Sequence, residues 1–150
     1  MPTFNDARHR EAVLARLGNL TPDAQRQWGT MTAHEMVCHL SDGYRASNGL
    51  IVCVPVDTLF TRTVLRGVAL HMPMAWPRGA KTVAEADQRR GGTRPARWDA
   101  DHAELLRLVR TFEAVEGRAH PLFGPLSVSE WGTWAWRHAD HHLRQFGIAA

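Results

Sequence analysis

Cysteine is scarce: Cys38 and Cys53 are the only two in 150 residues. Their spacing offers neither a CxxC pair nor the density of a disulfide scaffold, and both sit in apolar surroundings, so they read as reduced, buried thiols. Long apolar runs are missing too, since no stretch approaches the roughly 18 residues of a membrane span. The opening MPTFNDARHREAVLARLGNL lacks the uninterrupted apolar core of a signal peptide. A cytoplasmic protein with no membrane contact is the expectation. Charge of one sign is also lacking, with 18 Lys and Arg against 15 Asp and Glu for a net +3. That balance permits nucleic-acid binding without implying it. The one arginine-rich stretch, RRGGTRPAR, has no interleaved aromatics and reads as a solvated loop rather than a nucleic-acid surface.

What is present is a single domain's worth of ordinary globular composition, 44% hydrophobic and 22% charged, with six tryptophans. The spacing predicts a first helix over Asn5–Leu17, stopped by Gly18 and Asn19. TAHE, from Thr32 to Glu35, is a capping box that starts a second helix running to about Ala46. GLIVCVPV is apolar and β-branched but broken by Pro55, and reads as a buried connection. A third helix follows Asp57, carrying Phe60, Val64 and Val68 on one face and ending in HMPMAWP. Residues 72–97 form one long irregular stretch, expected to be a lid or a mobile linker, with Trp76 of MAWP as an apolar anchor over a pocket. A fourth helix covers Trp98 to about Val115, and SVSE caps a last helix over Val128–Phe146 that stops at Gly147. Five helical segments without paired strands make an all-α fold, a helical bundle with one long crossover.

The last helix holds HADHHLRQFG, with His138, His141 and His142 within five positions. At about 100° per residue, His138 and His142 fall inside the apolar stripe of Trp131, Ala135, Val128 and Phe146, while His141 lies at its edge. Imidazoles at i and i+4 can bind one metal from a single helix. Two buried imidazoles otherwise need two sets of hydrogen-bond partners. A third ligand must come from elsewhere, and His34, His39, His71, His102 and His120 are candidates. Periodicity does not choose among them. His39 is favoured by Glu35 and Asp42, which lie within about 60° of it on the second helix and could orient a ligand or accept a proton. HEMVCH is one residue longer than the metalloprotease motif HExxH, so His34 and His39 diverge by about 140° and cannot share a site in that way. Trp131 and Trp134 read as core or pocket wall. Trp136 falls on the charged face with Arg137 and Asp140, where an exposed indole suits a subunit contact in a homodimer.

MTAHEMVCHLSDGYR, HPLFGPLSVSEWG and HADHHLRQFG together resemble the DinB-like superfamily, and most closely a branch of uncharacterised function. The resemblance extends over nearly the whole chain, including WPRG. It implies a four-helix bundle, with an additional short helix or irregular segment, that holds a divalent metal with three histidines. Residue by residue, it maps the ligands to His39, His138 and His142 and leaves His141 outside the set. It implies a small-molecule substrate and, from some relatives, a thiol-dependent S-transferase or isomerase using a low-molecular-weight thiol. Asp42 and Glu35 are then the candidate catalytic groups. A neutral imidazole set suits zinc or nickel and excludes magnesium and calcium. A metal-dependent hydrolase, or a catalytically silent metal- or ligand-binding bundle, is the alternative.

Overall fold

The computed structural model describes residues 1–149. Among them are five α-helices: α1 (Ala7–Gly18), α2 (Ala33–Ser47), α3 (Arg66–His71), α4 (Trp98–Arg110) and α5 (Val128–Gln145). Three of the four long helices, all but α4, start where the sequence supplies a side-chain partner for the orphan amides. Asp6 accepts from Arg8 N–H at α1, and Thr32 with Glu35 and Ser127 with Glu130 close reciprocal capping boxes at α2 and α5. Gly147, at φ 73°, is the left-handed residue that ends α5.

The four long helices pack as α1 on α4 and α5, and α2 on α4 and α5. Phe4, Tyr44 and Phe112 meet between them, with Phe4 edge-on to Phe112 at 5.4 Å between ring centroids. The Tyr44 hydroxyl donates to the Ala135 carbonyl and ties α2 to α5. Leu105 and Val109 of α4 and Phe112 just beyond it are buried.

Several expectations are corrected. The fold is mostly helical but not purely so. Ala119–His120 (β1) and Gly124–Pro125 (β2) form a two-residue antiparallel ladder, because Gly124 at φ 69° lets HPLFGP close a tight hairpin. α4 stops at Arg110, short of Val115. The third helix begins with a π turn over Thr61–Leu65, and its face is turned outward: Phe60 is 61% and Val64 55% exposed. The stretch 72–97 contains one 3₁₀ turn, Ala84–Ala86. Cys38 is buried, whereas Cys53 is only partly covered. Trp136 is not an exposed indole, because α5 is enclosed on nearly all sides and Trp136 packs against the core.

Candidate metal centre

α2 and α5 bring His39, His138 and His142 together, all three buried, each with a ring nitrogen within 4.8 Å of the others'. Ring centroids are 4.8 Å apart for His39 and His138, 4.7 Å for His39 and His142, and 5.0 Å for His138 and His142. The i, i+4 pair on α5 supplies two imidazoles from adjacent turns, and the α2–α5 contact supplies the third.

Hydrogen bonds fix which nitrogen of each ring faces inward. His39 Nδ1 donates to the Ala86 carbonyl at 2.8 Å, so its Nε2 carries a bare lone pair. The Gln145 amide nitrogen donates to the Trp28 carbonyl at 2.9 Å, which turns its oxygen toward His142. His142 Nδ1 therefore donates to Gln145 Oε1 at 2.8 Å, and its Nε2 is also a lone pair. His138 Nε2 donates to His39 Nε2 at 2.8 Å, while its buried Nδ1 has no hydrogen-bond partner. Moving that one proton to Nδ1 turns a third lone pair inward. Such a donor set, with His39 and His142 each held by a second hydrogen bond, could hold a metal ion. The electrostatics agree. Burial pushes His39 below its ordinary value, and burial together with neighbouring histidines holds His138 and His142 well below theirs.

Aromatic side chains wall the cluster. Trp134 lies 4.7 Å and Trp76 6.2 Å from the His138 ring, centroid to centroid. Gly43, one turn beyond His39, leaves the room His138 needs. A Cβ there would stand 3.0 Å from His138 Cε1 and 3.2 Å from Trp134. His141 is outside the cluster, between Trp28 and Trp76, on the wall of an open groove of about 600 Å³ that Arg78, Trp136 and Arg137 also line.

Glu35 and Asp42 find partners other than the histidines. Among the described residues neither carboxylate hydrogen-bonds a histidine of the cluster. Glu35 closes the α2 capping box and binds Arg89. Asp42, fully buried, accepts from Gln88, from the Thr93 backbone and hydroxyl, and from Arg45. It thereby pins the loop that carries the Ala86 carbonyl to His39.

The other candidate ligands lie elsewhere. His34 binds Asp101, His102 binds the Leu17 carbonyl, and His71 is mostly exposed beside Glu130. His120 caps its own hairpin and is pushed down to about 3 by burial. Sequence reasoning missed Ala86, Gln145 and Gly43. Gln145 alone left a signal, one turn beyond the HH pair in HHLRQ.

No helix among the described residues is long and apolar enough to cross a membrane. No curated protein and no solved structure matches the chain. The model of one family, described as "Protein of unknown function (DUF1569)", matches residues 6–148, and the chain belongs to that family.

Proposed function

We propose that the protein is a metal-dependent enzyme of DinB-like architecture, a four-helix bundle in which His39, His138 and His142 hold one zinc or nickel ion. The observation that carries this reading is the hydrogen-bonded orientation of His39 and His142, which leaves a lone pair on both Nε2 atoms in a cluster whose ring nitrogens, one from each histidine, lie within 4.8 Å of one another. Ala86 and Gln145 do the work that a carboxylate was expected to do, which is to fix ring and tautomer. Asp42 acts as a positioning residue through Gln88 and Thr93. An ion held there supplies Lewis acidity toward a low-molecular-weight thiol or a water. Trp76 covers His138, and the groove beside it is the route for a small-molecule substrate. The favoured chemistry is thiol transfer.

A second reading, a catalytically silent metal-binding bundle, draws on the exposure of the three histidines, which is only 5–7% each. Two measurements separate the readings. Elemental analysis of protein purified without an affinity tag should give about one divalent ion per chain. Reloaded protein, incubated with a low-molecular-weight thiol and an electrophilic acceptor, should consume thiol faster than stripped protein. Metal retention with no rate difference favours the silent bundle, and absence of bound metal rejects both.

A further inference from the structure

α2 carries a second set of ligand-type side chains on a face turned away from His39. His34 and Cys38 are one turn apart on it, the same spacing by which His138 and His142 share a site, and Asp101 of α4 stands opposite them. One nitrogen, one sulfur and one carboxylate oxygen from the three lie within 4.8 Å of one another. The shortest approach is His34 Nε2 to Asp101 Oδ2, at 2.7 Å.

The set is partly held in place by its surroundings. Asp101 accepts from the Ala96 amide at 3.0 Å, and His34 lies edge-on to Trp98 at 5.5 Å between centroids. Cys38 and Asp101 also line a cavity of about 10 Å³, together with Ser41, Arg45, Thr93 and Glu104. That is close to the space one water occupies. The cavity's single cation, Arg45, is tied to Asp42 and Glu104, so Asp101 and Glu104 leave the lining net negative.

We propose that His34, Cys38 and Asp101 form a second metal site, independent of the three-histidine cluster, for a thiophilic divalent ion of the zinc class. A thiolate, an imidazole and a carboxylate are the ligand types such an ion takes, and the adjoining cavity offers a position for a water as the fourth. Sulfur in the set excludes magnesium and calcium. On binding, the Cys38 thiol releases its proton to solvent. In the hydrogen bond to Asp101 the His34 proton sits on Nε2; on binding, Nε2 loses it to solvent while Nδ1 takes one up, and the His34–Asp101 hydrogen bond opens as both atoms turn to the ion. The divergence of about 140° between His34 and His39, which bars them from one site, places α2 between two.

Cobalt(II) tests this on the full chain after chelator treatment. Filling both sites takes up about two ions per chain, and the second site alone produces a near-ultraviolet thiolate-to-cobalt charge-transfer band, which imidazoles cannot give. The band should vanish in Cys38→Ser and survive in Cys53→Ser and in His138→Ala. Asp101→Asn and His34→Gln, at partly exposed positions that tolerate change, should each weaken cobalt binding at this site at least about tenfold. They carry the test if Cys38→Ser does not fold. Absence of the band from the parent at saturating cobalt, its persistence in Cys38→Ser, or its loss in Cys53→Ser overturns the proposal.

Discussion

Along α5, the buried side chains include Arg137, His138, His142 and Gln145. Between Leu50 and Met74, by contrast, Val52, Leu59 and Phe60 are among ten large apolar residues that face solvent. Polar groups inside and apolar groups outside invert the ordinary arrangement, and the reason is the same in both places. α5 is enclosed by α1, α2, α3 and the 21–31 loop, which bring Arg16, His39 with Tyr44, Arg66 and the Trp28 carbonyl to its polar groups. In the 50–74 segment Ala69 and Leu70 reach the core, and polar bonds fasten the rest. Val56 N–H donates to the Pro121 carbonyl, Arg66 grips Glu130 with two hydrogen bonds, and Arg137 binds the Met72 and Met74 carbonyls. A side chain's burial is therefore set by what faces it. Periodicity names a face and does not guarantee it a partner.

Four measurements probe this contrast. The largest effect is expected on the inside. His138→Ala and His142→Ala should each lower metal affinity by more than about 100-fold, since the residues supporting such ligands are alone worth about 10–100-fold. His141→Ala should change it far less. Metal content after dialysis reads the difference, and a His142→Ala variant that keeps its ion would dissolve the contrast.

Next comes pH. In metal-free protein His39, His120, His138 and His142 are all held below 6.5, so the folded chain binds fewer protons than the unfolded one. Their contribution is fully present above pH 6.5 and is lost as pH falls below it, continuing toward 3 for His120. Each such proton steepens the loss by up to about 1.4 kcal/mol per pH unit. Urea midpoints measured from pH 7 down to pH 5 should fall accordingly, and a flat profile would mean that these rings are not buried neutral.

Smaller changes are expected from the supporting residues. Gly43→Ala presses a methyl group against the His138 and Trp134 rings, and Gln145→Ala frees the His142 ring. Each should weaken metal binding about 10–100-fold with helix content retained by circular dichroism. The smallest effect belongs to the outside. Phe60→Ser and Val64→Ser should leave stability within about 0.5 kcal/mol and metal content unchanged. A loss of several kcal/mol would mean that something covers this face in solution, and sedimentation velocity would show whether a second copy does.

Much of α5 was legible because its capping box, its i, i+4 histidines and its glycine stop are local signals. His39 was not legible by periodicity, because its direction lies well away from the aliphatic stripe of α2. It is buried because α5 and the Ala86 turn close over it. The Ala86 carbonyl is invisible in sequence, since any residue type supplies one. Trp136 was misplaced by assuming that α5 has a free face, while the spacing of Phe60 and Val64 names a shared face and is silent on whether anything covers it. Gly43 gave no signal of its own. Its meaning arises only once His138 arrives from a helix about ninety-five residues later.

Gln145 joins a buried imidazole to the protein's surface. Its side chain holds His142 on one side and the Trp28 carbonyl on the other, and its own backbone carbonyl accepts from Gln27 N–H at 2.7 Å. The loop at Gln27 and Trp28 is thus coupled to the ring it helps to orient, and anything that steadies His142 steadies this loop. Deuterium uptake at the Gln27 amide becomes a remote gauge of what the histidines hold, readable without a chromophore or a substrate.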